Sequence, residues 1–247
     1  MQVKPFHTEL DPGLSSVAGI AWPPLLAGEA SDLASLTYQL EQTQWLAAGA
    51  IIRRQHQQLV QVAAHAHTHS VHFRGRMAAV GVRPEELSTR EGLRRLPVMR
   101  RRDVQSAGTA LFCTQIPRAH APVAESSTSG SSGEPVMVKR TAVSRLMWLA
   151  MTLREHLWQR RDFSGTLAVI RDDYLQGDQV DSPNWGPPAS LLFETGPSHA
   201  VTVRTGVTRQ FEWLQSINPE YLLVYPSNLA ALLGQFEQHV LRLPGLR

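Results

Sequence analysis

Short apolar runs alternating with amphipathic helical stretches over residues 109–247 predict an α/β fold, a mostly parallel sheet flanked by helices, behind a helical N-terminal region. Three observations carry this expectation. Thr166–Ile170 and Tyr221–Tyr225 are continuous apolar runs of the kind that form strands covered on both faces. Thr141–Trp158 and Val207–Ser216 repeat apolar residues at helical spacing. Strands that alternate with helices need crossover connections, and crossovers favour parallel pairing.

Residues 1–29 are rich in Pro and Gly and read as an extended arm. Ser31 is placed to cap a long helix reaching about His65. Leu33, Leu36, Leu40, Trp45, Ala48, Ile52, Leu59 and Val62 recur along it, and Gly49 weakens it locally. A second helix is expected over His72–Val80, ended by Gly81. Short turns near Pro84–Glu86 and Thr89–Glu91 and a short helix over Arg100–Gln105 complete a helical region spanning 30–108.

The α/β part, 109–247, opens with an irregular approach, Thr109–Ala124. The helix from Thr141 then presents Val143, Leu146, Met147, Ala150, Leu153 and Leu157. After the Thr166–Ile170 strand, Tyr174–Pro188 reads as a loop, and Ser190–Glu194 and Ala200–Arg204 read as strands about a Gly196-Pro197 turn. Ser227 is expected to cap a final helix reaching about Leu241.

Length and composition bound the function. The 247 residues, 43% hydrophobic and 18% charged, allow one large or two small folded domains. A net charge of +3, with arginine runs at 100–102 and 160–161 but no interleaved aromatics, gives no nucleic-acid module. Cys113 is the single cysteine, so no internal disulfide forms, and no catalytic His or Asp stands in recognisable relation to it. Neither a secretory leader nor an apolar stretch long enough to span a bilayer is present, so a cytoplasmic location is expected.

Thr128-Ser129-Gly130-Ser131-Ser132-Gly133-Glu134-Pro135 has the composition of a loop built to hold phosphate. Its glycines let the backbone bend and leave amide N–H groups open, and its hydroxyls add donors without fixed charge. A helix starting near Thr141 would lend its positive end nearby. A flexible Gly/Ser linker has the same composition. The loop is not a Walker A motif, since the chain has no Gly-Lys pair, nor a dinucleotide fingerprint.

Thr128–Pro135 resembles the Ser/Thr-rich phosphate-binding signature of adenylate-forming ligases, with Glu134 where lysine is common. The flanks are similar to the branch holding phenylacetate–CoA ligases and capsule-biosynthesis proteins. They comprise Phe73-Arg74-Gly75-Arg76-Met77, Gly81-Val82, Leu93–Val98, Arg101–Val104, Trp213-Leu214 and Pro219–Ser227. The matches stand in the family's order between about Val71 and Leu233.

The resemblance implies ATP and Mg2+ as cofactors, and a carboxylic acid with CoA or a carrier-protein thiol as partners. It assigns the nucleotide phosphates to Thr128, Ser129, Gly130, Ser131, Ser132 and Gly133, and a possible pocket to Tyr225, Ser227 and Asn228. The family's later adenine-holding motif, its ribose-binding Asp and its C-terminal lysine have no counterpart here, and Lys139 is the only lysine after Lys4. The expectation is an N-terminal portion of such a ligase, inactive alone: a fragment, a truncated gene product or one half of a split protein that a C-terminal chain could complete. The alternative is a truncated relative serving as an interaction or scaffold protein.

Other constellations have two readings each. His65, His67, His69 and His72 could gather zinc or nickel on one helix, or mark a helix junction. Asp172-Asp173, at a strand's C-terminal end, could hold magnesium or form a solvated turn. His199 could face the same cleft or serve a structural role. Asn184-Trp185-Gly186-Pro187-Pro188 departs from the branch's Tyr-Gly-rich stretch and leaves the acid open.

Overall fold

The computed structural model describes residues 13–127, 135–172, 179–239 and 243–247. Its helices are α1 (Gly28–Thr43), α2 (Ala48–His69), α3 (Val71–Ala79), α4 (Arg90–Arg95), α5 (Arg101–Ala107), α6 (Ala142–Trp158), α7 (Val207–Ile217) and α8 (Pro226–His239). Its strands are β1 (Val123–Ser127), β2 (Met137–Thr141), β3 (Leu167–Ile170), β4 (Gln179–Ser182), β5 (Ser198–Val201) and β6 (Tyr221–Val224). One unit gathers the described residues up to Thr37 with Leu149–Arg247, and the other is Tyr38–Trp148.

The first unit is built on a four-stranded mixed sheet in the order β4-β5-β3-β6. β5, β3 and β6 run parallel, while β4 pairs antiparallel with β5. Ala168 and Ile170 of β3 are fully buried and meet Val201, Phe211, Leu214 and Leu232, so α7 and α8 cover one face with the apolar stripe their spacing provides. The α/β class and the strands β3 and β6 are as the sequence predicts.

Two expectations for this unit are corrected. Gln179–Ser182, read as loop, forms β4 because antiparallel pairing with β5 supplies bonds its polar sequence does not advertise. Ser190–Glu194 is not a strand. Local bonds from Ser190 to Gly186, Leu191 to Pro188 and Phe193 to Ala189 close a helical turn that buries Leu192. A short apolar run fits either state, and here the local bonds win.

The single helix expected from Ser31 to about His65 is two. Gln44–Ala47 interrupt it between α1 and α2, where the Thr43 hydroxyl bonds back to the Gln39 carbonyl at 2.7 Å and competes with the helical ladder. Ser31 lies inside α1, which begins at Gly28, and so is not its cap. α3 ends next to Gly81, whose φ of +60° suits glycine. Its cap is Ser70, which is buried. The Ser70 hydroxyl accepts from Phe73 N–H at 3.2 Å and donates to the Leu111 carbonyl at 3.1 Å. Ala63, Met77, Val82 and Leu87 form a small core in the second unit, Tyr38–Trp148.

β1 and β2 form an antiparallel hairpin closed by the Ser127–Met137 pair, where the sequence suggested only an irregular approach. α6 starts directly after β2. There the Thr141 hydroxyl accepts from Ser144 N–H at 3.1 Å, and the Ser144 hydroxyl accepts from Thr141 N–H at 2.9 Å.

Candidate functional site

The six residues assigned to nucleotide phosphates, Thr128 to Gly133, lie outside the described residues, as does Glu134. Their frame is described: they connect β1 to β2, between Ser127 and Met137. α6 begins at the far end of β2, and the strand from Met137 to Thr141 spans about 13 Å at ~3.3 Å per residue. At the start of α6 the Thr141 hydroxyl takes the Ser144 N–H. Lys139 serves the hairpin: its ammonium lies 3.6 Å from Glu125 across the strands and 4.8 Å above the Phe112 ring.

The second candidate region is where β3, β5 and β6 end, the place at which parallel sheets hold ligands. Residues just beyond the strands converge there. The Arg171 guanidinium faces the Tyr225 ring at 5.7 Å. Asp172 is bidentate with Arg204, Nε to Oδ1 at 2.9 Å and Nη2 to Oδ2 at 2.9 Å, and accepts from the Thr202 hydroxyl at 3.4 Å. Asp172 is thus engaged with Arg204 and Thr202; Asp173, the other half of the pair read for magnesium, lies outside the described residues.

Of the three pocket candidates, Tyr225 borders this region through Arg171, and Ser227 is exposed in the first turn of α8. Because α8 starts at Pro226, Ser227 is not its cap. A proline at the first helical position needs no N–H partner. Asn228 is buried and its amide donates to Gln210 Oε1 at 2.7 Å, which occupies it structurally. Gln210, Arg171 and Arg204 escaped the sequence reading. Gln210 had a detectable signal, a polar residue on the apolar side of α7 beside Phe211 and Leu214, and it is fully buried.

The remaining candidates separate. His199 lies mid-strand in β5 and pairs with Asp181 of β4, Nδ1 to Oδ1 at 2.7 Å, so it does not join Asp172. The His199 hydrogen bond, then that of Gln179, holds the Asp181 carboxyl below the usual carboxylate range. The histidine cluster spans two helices: α2 stops at His69, Ser70 is extended, and His72 belongs to α3. The His65 and His69 rings lie 4.6 Å apart, centroid to centroid, tilted by 48°. Among the described residues no group of three His, Cys, Asp or Glu side chains could hold a metal ion. Burial raises the Cys113 thiol, which lowers its thiolate fraction. No described helix is long and apolar enough to cross a membrane.

No family model and no curated protein matches the chain. Solved structures do. It is similar to 2-hydroxyisobutyryl-CoA ligase in complex with 2-HIB-AMP and CoA in the thioesterification state, with a TM-score of 0.57 and 20% identity over 82% of this chain and 43% of that one. An open conformation of the same ligase with 2-HIB-AMP and CoA gives 0.56 and 19% over 81% and 47%. Its postadenylation state with 2-HIB-AMP gives 0.56 and 20% over 81% and 42%. At this identity the likeness is one of fold. The chain spans less than half the length of the structures it matches and shares the architecture of part of an adenylate-forming ligase.

Proposed function

We propose that this chain is part of an acyl-adenylate-forming ligase that activates a carboxylic acid with ATP for transfer to a thiol such as CoA. The observation that carries the reading is the coincidence of two independent features. Four-fifths of the chain superposes on a ligase crystallised with an acyl-AMP and CoA, and a hydroxyl- and glycine-rich connection joins β1 to β2. In this chemistry a carboxylate attacks the α-phosphate of ATP, giving acyl-AMP and pyrophosphate, and a thiol then displaces AMP. Thr128 to Gly133 are the residues proposed to orient the β- and γ-phosphates. Backbone N–H groups and hydroxyls positioned there stabilise charge moving onto the leaving pyrophosphate.

Tyr225, beside the Arg171 cation, and Ser227, in the first turn of α8, remain proposed pocket residues. The motif order from Phe73 to Ser227 favours the phenylacetate–CoA ligase branch within the reading. Residues that the resemblance assigns to adenine, ribose and thioester formation have no counterpart in this sequence. The chain by itself is therefore proposed to bind nucleotide weakly and to turn over negligibly. ATP–pyrophosphate exchange across a panel of carboxylic acids tests this. Robust exchange by the chain alone contradicts the partial-site reading, and the absence of any ATP protection against proteolysis contradicts nucleotide binding.

A further inference from the structure

A groove of about 510 Å³ lies between α3 and α5, wholly within the second unit and of a size that suits a small molecule. Both helices pack on the turn Gly108–Leu111, and the Ser70 hydroxyl at the start of α3 donates to the Leu111 carbonyl at 3.1 Å. The two walls are therefore held in place by the fold. The segment Pro97–Met99 lines the groove between them. Val98 and Met99 are 86% and 42% exposed, so this stretch presents apolar surface that nothing in the chain covers.

The polar lining is uncompensated. His72 and Arg76 stand one turn apart on the same face of α3. Arg76 donates from Nη2 to the Pro97 carbonyl, which uses one of its five N–H groups and anchors the guanidinium at the groove. Among the described residues no carboxylate pairs with it. His72 Nε2 is buried and has no hydrogen-bond partner among the described residues, an uncommon state for a buried polar atom. Asp103, the acid in the lining, is taken up by its own helix start: Oδ2 accepts from Arg100 N–H at 2.7 Å, and Oδ1 stands 3.7 Å from Arg102 Nε.

We propose that this groove binds a small amphipathic monocarboxylate. The remaining N–H groups of Arg76 hold its carboxylate, joined by His72 Nε2–H once the imidazole turns towards it, and its hydrocarbon part lies along Val98 and Met99. A cation without a counter-charge favours an anion, and the exposed apolar wall beside it favours an anion that carries hydrocarbon over a bare one. The inference goes beyond the proposed function and needs no nucleotide, so it stands or falls separately from any exchange assay.

The test titrates the full chain, with isotope-labelled methionine methyl groups, against hexanoate and follows it by NMR. The Met99 methyl, assigned from Met99→Leu, should shift saturably, while that of Met151 on α6 stays in place. Hexanamide, alike in shape but uncharged, should bind about tenfold more weakly, and so should hexanoate to Arg76→Gln. Ala79→Trp fills the groove from an exposed position and spares both polar groups, so it should remove the Met99 response. Shifts that never saturate, equal binding of hexanamide, displacement of hexanoate by inorganic phosphate at equal concentration, or undiminished binding by either variant overturns the proposal.

Discussion

The Asn228 side-chain amide donates a 2.7 Å hydrogen bond to Oε1 of Gln210, and Gln210 passes the connection to the Val203 and Thr205 carbonyls at 3.2 and 2.6 Å. This relay ties the first turn of α8 to α7 and to the turn after β5, beside the ends of the parallel strands. Gln210 is fully buried. Gln210→Leu would leave the Asn228 amide and two carbonyls without their partner, at about 1–3 kcal/mol for each group that water does not reach. Denaturant unfolding should therefore show a clearly lower midpoint with an unchanged slope. A loss below about 0.5 kcal/mol would mean that water replaces the relay.

A pH dependence follows from His156. Burial, and then the Arg161 charge, lower its pKa to about 4 from 6.5, against a smaller opposing pull from Glu155. Arg161 donates to its Nδ1 at 2.7 Å, which requires an unprotonated nitrogen there. As pH falls from 6.5 towards 4, the unfolded chain takes up a proton that the folded chain refuses. Stability supplied by this site is thus intact above 6.5 and declines through that window. His156→Phe keeps a ring among Phe163 and Trp185 and removes the titration. Thermal midpoints of the variant should vary less between pH 4 and 6.5 than those of the parent. Parallel profiles would sink the assignment.

The legible parts of the fold are those where local pattern and tertiary demand agree. β3, β6 and α7 combine apolar runs or stripes with flanking turns, and each forms within a residue or two of its expected bounds. β4 was hidden because Gln179–Ser182 owes its state to its partner β5. The break between α1 and α2 was hidden because Leu40, Trp45 and Ala48 keep helical spacing across it. At the strand ends, Tyr225 and Asp172 could be placed from topology alone. Their engagement with Arg171 and Arg204 depends on where side chains point, which spacing does not encode.

Gly196 makes the tightest backbone approach in the sheet unit. A Cβ there would stand 2.3 Å from the Ser164 carbonyl oxygen and 2.5 Å from that of Gly165. Gly196 N–H donates to Phe163 at 2.8 Å, so the turn cannot swing away without losing that bond. Gly196→Ala is expected to cost on the order of 1–3 kcal/mol through backbone displacement. Gly206→Ala, with open space around its Cβ, is the control. Equal thermal midpoints for the two variants would show that the turn relaxes freely.

The glycines of the proposed phosphate loop should behave differently, because their value lies in ligand approach. Gly130→Ala together with Gly133→Ala adds Cβ atoms where the backbone is proposed to meet phosphate oxygens. In the parent chain, ATP at ten times its Kd should add about 1.4 kcal/mol. For a chain of this size that raises the thermal midpoint by roughly 3–6 °C. The double variant should unfold within about 1 kcal/mol of the parent when no nucleotide is present, yet gain nothing from ATP. If it keeps the full ATP-dependent rise, the connection between β1 and β2 is a linker and the phosphates bind elsewhere. If neither protein responds to ATP, the scaffold alternative takes precedence, with the same fold put to a non-catalytic use.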